Sequence, residues 1–101
     1  MSDPGTAGII APVPRITFTP QLRRFIDTPE FESTAPRLRA LLDEAFARNP
    51  RLRGYVLDDQ GHLRPNVVIF IDGQRVADRI ALDDPLPPAS TVHVLQALSG
   101  G

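Results

Sequence analysis

The chain has 101 residues and a formal net charge of -1, which suits one small domain with a single modest core. This charge gives no overall field that would attract nucleic acid or an anionic membrane, so we expect neither as a partner. No apolar run approaches the ~20 residues of a membrane-spanning helix, and residues 1–14 lack the pattern of a secretory signal. We therefore expect a cytoplasmic protein. The sequence has no cysteine, which excludes cysteine nucleophiles, disulfides and thiolate metal ligands.

The N-terminal third predicts an arm, two strands and a helical turn. Three prolines and two glycines interrupt residues 1–14, which predicts a flexible arm. Residues 15–19 alternate between apolar and polar side chains, as a half-buried strand does. Residues 21–26 have the apolar spacing of a short helical turn. Residues 30–33 predict a short second strand with Phe31 pointing inward.

The clearest predicted element is a helix over residues 34–49. Its apolar side chains recur on one helical face: Leu38, Leu41, Leu42, Ala45 and Phe46. Ser33 or Thr34 is expected to cap the N-terminus, with Pro36 in the first turn. We expect this helix to cover one face of a sheet.

The second half of the chain predicts the remaining strands. Residues 51–57 are ambiguous but could form another helical turn, and Gly61 can take a positive φ in the turn that follows. Residues 66–72 are apolar on both faces, which predicts a central strand. Asp72-Gly73 predicts a tight hairpin turn, with a return strand at residues 74–76.

The last predicted strand spans residues 91–98, with Val92 and Val94 on one face and His93 and Leu95 on the other. Together the elements predict an α+β domain, in which a mixed sheet packs against one main helix. The predicted organisation is the arm at 1–14, the domain at 15–98 and a flexible tail at 99–101.

The candidate for chemistry is the C-terminal pair Gly100-Gly101. Neither residue has a Cβ, so such a tail can enter a narrow channel in a partner enzyme. An α-carboxyl group has a pKa near ~3.5 and is ionised at neutral pH. An ionised carboxylate can attack the α-phosphorus of ATP to give an acyl-adenylate, from which a sulfur donor can displace AMP and leave a thiocarboxylate. This chemistry needs no catalytic side chain on the chain itself.

The chain resembles the MoaD/ThiS family of ubiquitin-like sulfur carriers, which have the β-grasp fold. Four segments, between residues 15 and 101, carry the resemblance: Ile16–Phe18 with Gln21-Leu22-Arg23-Arg24-Phe25-Ile26; the Leu41-Leu42 helix; Leu57-Asp58-Asp59-Gln60-Gly61-His62-Leu63-Arg64-Pro65 leading into Val67-Val68-Ile69-Phe70-Ile71-Asp72-Gly73; and Val92-His93-Val94-Leu95-Gln96-Ala97-Leu98-Ser99-Gly100-Gly101. The family implies activation by an E1-like adenylating enzyme, which binds ATP with magnesium and consumes the ATP. It also implies a downstream synthase that accepts the sulfur.

The resemblance also implies site residues. The reactive glycines map onto Gly100 and Gly101, and the apolar partner-facing position of the last strand maps onto Leu95. Leu98 and Ser99, next to the glycines, are further candidates for partner binding. Leu95 could instead pack against Ile9, Ile10 or a loop.

Phe70 could belong to the core or join Leu95 in one exposed apolar patch, and we favour the exposed position. His62 and His93 lack neighbours at metal-ligand spacing, so we expect no metal and no stably bound cofactor.

Two features separate this chain from the molybdopterin-synthase small subunit. Gln96-Ala97-Leu98-Ser99 stands where that subunit often has proline and valine, and residues 58–65 form an insertion. Both favour the branch that resembles carriers for cysteine or other thio-metabolites. The alternatives are a ubiquitin-like modifier conjugated through Gly101 and a β-grasp interaction module without terminal chemistry. An enzyme is the least expected class, since no nucleophile-and-base set or phosphate-binding glycine loop is evident.

Overall fold

The computed structural model describes residues 13–96. The five strands are β1 (Arg15–Phe18), β2 (Phe31–Glu32), β3 (Val67–Ile71), β4 (Gln74–Arg75) and β5 (Thr91–Gln96), and the two α-helices are α1 (Leu38–Arg48) and α2 (Arg53–Val56). Short 3₁₀ helices occupy Pro20–Arg24 and Pro50–Leu52. The expected α+β arrangement is confirmed. The predicted arm, except for Val13 and Pro14, lies outside the described residues, as do residues 97–101.

The strands form one mixed sheet in the order β2-β1-β5-β3-β4. Strand β5 lies at the centre, parallel to β1 and antiparallel to β3. The prediction that residues 66–72 form the central strand is therefore wrong, although β3 does lie inside the sheet. Its apolar side chains at Val68 and Phe70 are only half-buried. Because Val68 and Phe70 are apolar, both faces of this strand are apolar in the sequence, as in a strand that is buried on both faces.

One face of the sheet packs against the helices and forms the core. Strand residues that alternate onto this face, such as Ile16, Ile69 and Val94, are at most 1% exposed. They belong to a single cluster with the apolar face of α1, including Leu41 and Leu42, as the helical spacing predicts. We call this the covered face of the sheet.

Helix α1 begins four residues later than predicted. Its N-cap is Arg37, in an extended conformation and without a side-chain cap hydrogen bond. Residues 36–38 pair instead with the loop at 84–86, where Leu38 N–H donates to Asp84 O at 2.8 Å and Leu86 N–H donates to Pro36 O at 2.9 Å. The hydroxyl of Ser33 is not a helix cap, because it accepts from Ala35 N–H and donates to the Glu44 carboxylate.

The turn predictions at Gly61 and at Asp72-Gly73 are confirmed. Gly61 has φ +81°, and the hairpin between β3 and β4 has φ 51° at Asp72 and 83° at Gly73, as in a type I′ turn. Asp72 also accepts a hydrogen bond from Thr91 N–H at 2.9 Å, which fixes the start of β5. Within residues 13–96, no helix is long and apolar enough to span a membrane.

Candidate functional site

The face of the sheet opposite the helices is exposed to solvent, and we call it the open face. Strand alternation places Thr17 of β1, Val68 and Phe70 of β3, and His93 and Leu95 of β5 on this face. Leu95 is 39% exposed, and it is one of three large apolar side chains exposed in the described part of the chain. The structure thus places Leu95 where the resemblance implies. Its role in binding a partner remains a prediction.

Register brings the apolar side chains of the open face together. Val68 lies opposite Leu95, and Phe70 lies opposite His93. Directly opposed side chains in an antiparallel pair have Cβ atoms about 5 Å apart, and diagonal neighbours remain within reach of aromatic rings. Val68, Phe70 and Leu95 therefore form one apolar patch, in which the side chains of Val68 and Phe70 are half-buried.

Polar groups border this apolar patch. On the open face, Phe70 lies opposite Arg75 of β4, and His93 lies opposite Thr17 of β1. Thr17 Oγ1 and His93 Nδ1 are hydrogen-bonded at 2.7 Å. An apolar centre with a polar rim is the usual composition of a protein interface.

An open groove runs from the apolar patch towards the end of β5. It has a volume of about 400 Å³, and it is lined by Thr19, Pro65, Asn66, Val68, Leu95 and Gln96. Residues 97–101 continue the chain from this point. The groove and the origin of the C-terminal tail are therefore on the same side of the domain.

The end of β5 is held by what we call the strand-end anchor, formed by Thr19, Gln96 and Tyr55. Gln96 N–H donates to Thr19 Oγ1 at 2.8 Å, and the same hydroxyl donates to Val94 O at 3.2 Å. The Gln96 side-chain amide donates to Tyr55 O of helix α2 at 2.9 Å. Gln96 is 8% exposed. The last described residue of the chain is thus fixed to both the sheet and a helix.

The loop after α2 builds one wall of the groove. Asp58 accepts hydrogen bonds from Gln60 N–H at 2.9 Å and His62 N–H at 3.0 Å. The bond from His62 is the main cause of a lowered pKa at Asp58, with a smaller part from the bond to Gln60. Arg64 Nε donates to Gly54 O at 2.7 Å, which ties the loop back to α2 just before Pro65.

Four of the six predicted site residues lie outside the described part of the chain. These are Leu98, Ser99, Gly100 and Gly101, so their proposed roles remain predictions. The same holds for packing of Ile9 or Ile10 against Leu95.

Sequence reasoning did not single out the strand-end anchor. One signal for Gln96 was present, because it follows Val92 and Val94 in the inward-facing alternation and is a polar residue at an apolar position. Thr19 gave no comparable signal, since its contact crosses 77 residues of sequence.

Comparisons with known proteins find similarity in structure. No protein-family model matches the chain, and no curated protein matches it. The similar solved structures include small archaeal modifier protein 1 of Methanosarcina acetivorans, Urm1 of Trypanosoma brucei and the HVO 2177 protein of Haloferax volcanii.

The three similarities span almost the whole domain. The M. acetivorans protein aligns with a TM-score of 0.68 and 19% identity over 91% of this chain and 99% of its own. The T. brucei protein gives 0.62 and 18%, over 90% and 97%. The H. volcanii protein gives 0.59 and 21%, over 90% and 88%.

The chain has the ubiquitin-like β-grasp fold. Identities of 18–21% establish the fold alone. In this β-grasp domain the central strand is β5, so the last described residue, Gln96, ends a strand in the middle of the sheet rather than at an edge.

Proposed function

We propose that this β-grasp protein is a sulfur carrier of the MoaD/ThiS kind. In this proposal an E1-like enzyme adenylates the carboxylate of Gly101, and the adenylate is then converted to a thiocarboxylate that donates sulfur in biosynthesis. The observation that carries the proposal is the anchored end of the central strand, from which a five-residue tail ending in Gly-Gly continues.

The reaction requires a reactive end group and little else from the carrier. A carboxylate oxygen of Gly101 attacks the α-phosphorus of ATP, and pyrophosphate leaves. A hydrosulfide-level sulfur nucleophile then attacks the carbonyl carbon of the adenylate, and AMP leaves with the bonding electrons. The partner binds ATP with magnesium and consumes the ATP. The absence of cysteine from the chain fits this division of labour, since the sulfur is held on the main-chain carboxyl group.

The open face supplies a surface for the adenylating enzyme. Leu95 and Phe70 lie in the apolar patch, beside the groove at the origin of the tail. In the proposal, docking of this patch brings Leu98 and Ser99 to the entrance of the partner's channel and the glycines to its ATP. Interface energy concentrates in a few apolar or aromatic anchors, so Leu95 is expected to carry a large part of it.

Intact mass spectrometry tests the proposal directly. The chain is incubated with an E1-like adenylating enzyme, ATP, magnesium and a sulfide source. We expect its mass to rise by the difference between a sulfur atom and an oxygen atom. A variant that lacks Gly101 is the matched control and should keep its mass. An unchanged mass of the wild-type chain, with an enzyme shown to bind it, would refute the carrier proposal.

A second candidate is a protein modifier conjugated through Gly101. The name of the M. acetivorans protein, a modifier, favours this alternative. Here a lysine amine of another protein attacks the activated carboxyl carbon and forms an isopeptide. Immunoblots under denaturing, reducing conditions should then show a series of adducts that is lost when Gly101 is deleted. If deletion of the tail changes neither sulfur transfer nor conjugation, the domain is an interaction module only.

A further inference from the structure

We propose that Thr19 and Gln96 are positioning residues, which fix the origin of the C-terminal tail and thereby aim the Gly101 carboxylate. This inference rests on the proposed function, because it concerns adenylation of that carboxylate. It assigns a role to two side chains that lie outside the apolar patch.

The Thr19 hydroxyl extends the pairing of β1 and β5 beyond the last regular pair of residues. That pair is Phe18 with Val94, and Thr19 N–H still donates to Val94 O at 2.9 Å. The next strand donor, Gln96 N–H, bonds the Thr19 side chain at 2.8 Å instead of a backbone carbonyl. A threonine hydroxyl thus takes the place of a main-chain acceptor where β1 turns into the 3₁₀ helix at Pro20–Arg24.

The Gln96 side chain holds the same point from the opposite side. It is buried on the covered face, where an apolar side chain would be buried without the cost of desolvating an amide. Its amide donates to Tyr55 O at 2.9 Å. This bond ties the end of β5 to α2, while the Gln96 Oε1 atom is buried without a hydrogen-bond partner among the described residues.

A fixed origin matters because the proposed function places the reactive carboxylate on Gly101, the fifth residue after Gln96. An extended chain of five residues spans at most about 17 Å. A rate of attack depends steeply on the position of the reacting atoms, and a displacement of about 1 Å can cost about a hundredfold. A displaced origin therefore leaves less of this span for bringing the Gly101 carboxylate to the partner's ATP. Neither side chain belongs to the apolar patch, although both line the adjoining groove, so we expect their substitution to affect docking less than it affects delivery of the carboxylate.

The test compares kcat and KM in ATP–pyrophosphate exchange, using an E1-like enzyme shown to bind the wild-type chain. Thr19→Val keeps the side-chain shape and removes the hydroxyl, and Gln96→Leu keeps the burial and removes the amide. We expect each substitution to lower kcat by about tenfold or more, with KM for the carrier changed less than about twofold. Thr19→Ser keeps the hydroxyl and should restore most of kcat.

Ser33→Ala is the matched control for stability. It also removes a hydroxyl with two hydrogen bonds, at the other end of the sheet from Gln96. It should lower the melting temperature but leave kcat unchanged.

Hydrogen exchange gives a readout that does not depend on the enzyme. The Gln96 amide proton should be protected in the wild type and exchange faster in Thr19→Val, while the Val94 amide proton stays protected.

The outcomes separate the two proposals. If the wild-type chain supports no exchange of pyrophosphate, the proposed function is wrong and the positioning role falls with it. If the wild-type chain is active and both Thr19→Val and Gln96→Leu match it in kcat, only the positioning role is wrong. If Ser33→Ala lowers kcat as much as Thr19→Val does, the effect is one of stability and the positioning role is also wrong. Should Thr19→Val fail to fold, the kcat and the hydrogen exchange of Gln96→Leu decide whether the positioning role is correct.

Discussion

The covered and open faces of the same sheet are built from neighbouring residues with opposite surroundings. Ile69 and Val94 point to the covered face and are at most 1% exposed. Their chain neighbours Phe70 and Leu95 point to the open face, where Leu95 is 39% exposed. One residue along a strand therefore separates a side chain that stabilises the fold from one that is free to contact another molecule.

The comparison suggests a division of labour within the domain. The covered face gains its free energy from apolar area removed from water. The open face retains apolar side chains that would gain the same free energy only when a partner covers them. Substitutions on the two faces should therefore be detected by different measurements, unfolding on one face and binding on the other.

The largest expected effect is on stability, at the covered face. Ile69→Ala should lower the free energy of unfolding by about 2–5 kcal/mol, because it removes fully buried methyl groups and leaves a cavity. Leu95→Ala, on the open face, should lower it by about 1 kcal/mol or less, because much of its surface is already in water. Urea unfolding of both variants measures the difference. Equal losses of stability would contradict the division between a face that stabilises the fold and a face that is available to a partner.

The next effect concerns binding, at the open face. Leu95→Asp should raise KM for the carrier by about tenfold or more in the adenylation assay, because docking would bury a charge in the apolar patch. Its effect on the free energy of unfolding should be small. The matched control is Ile80→Asp, which places the same charge at a residue that is 61% exposed and outside the apolar patch. If both variants raise KM alike, the apolar patch is not the docking surface.

Helix α1 is held over the covered face by polar contacts as well, and these predict a smaller effect. Arg39 of α1 donates to the carbonyls of Ala81 at 3.2 Å, Gly61 at 3.1 Å and Ile80 at 2.9 Å. A lysine at this position has no planar fork and cannot reach all three acceptors. Arg39→Lys should lower the free energy of unfolding by about 1 kcal/mol, measured by urea unfolding.

Arg24→Lys is the matched control for Arg39→Lys, since the Arg24 side chain is exposed. It should be neutral within about 0.5 kcal/mol. Equal stability of the Arg39→Lys variant and the wild type would show that charge, and not the fork of donors, holds the helix.

How far the sequence predicts this fold depends on the range of the contacts involved. The covered face follows from local periodicity, since Leu38, Leu41 and Leu42 repeat at helical spacing and Val92 and Val94 alternate as in a strand. The type I′ turn at Asp72 and Gly73 follows from its residue types alone. These features are determined by residues within a few positions of one another.

Features that depend on distant segments were not predictable in the same way. The start of α1 is displaced because residues 36–38 pair with the loop at 84–86, which local capping preferences do not reflect. The place of β5 at the centre of the sheet depends on pairing with both β1 and β3. The link from Thr19 to Gln96 likewise joins opposite ends of the described chain. Strand alternation was enough to place Leu95 on the open face and to mark Gln96 as a polar residue at an inward position, but no local pattern indicated that Thr19 is its partner.

The smallest predicted effect is a pH dependence of stability, in the loop that forms a wall of the groove. Hydrogen bonds from His62 N–H and Gln60 N–H lower the pKa of Asp58 below its ordinary value of 3.8. The folded state therefore favours the ionised carboxylate. Its contribution to stability is complete above pH 3.8 and is lost as the pH falls through the lower pKa of the folded state.

Asp58→Asn keeps an oxygen acceptor but removes the charge, so it should abolish this part of the acid dependence. The difference in free energy of unfolding between wild type and variant should be constant between about pH 5 and 7. It should shrink below pH 3.8, as urea unfolding across this range can show. Asp59→Asn removes a negative charge one residue away. This variant should keep the acid-dependent loss of stability that the wild type shows below pH 3.8. If Asp58→Asn also kept that loss, the loop would be held by its backbone turn at Gly61 and not by the carboxylate.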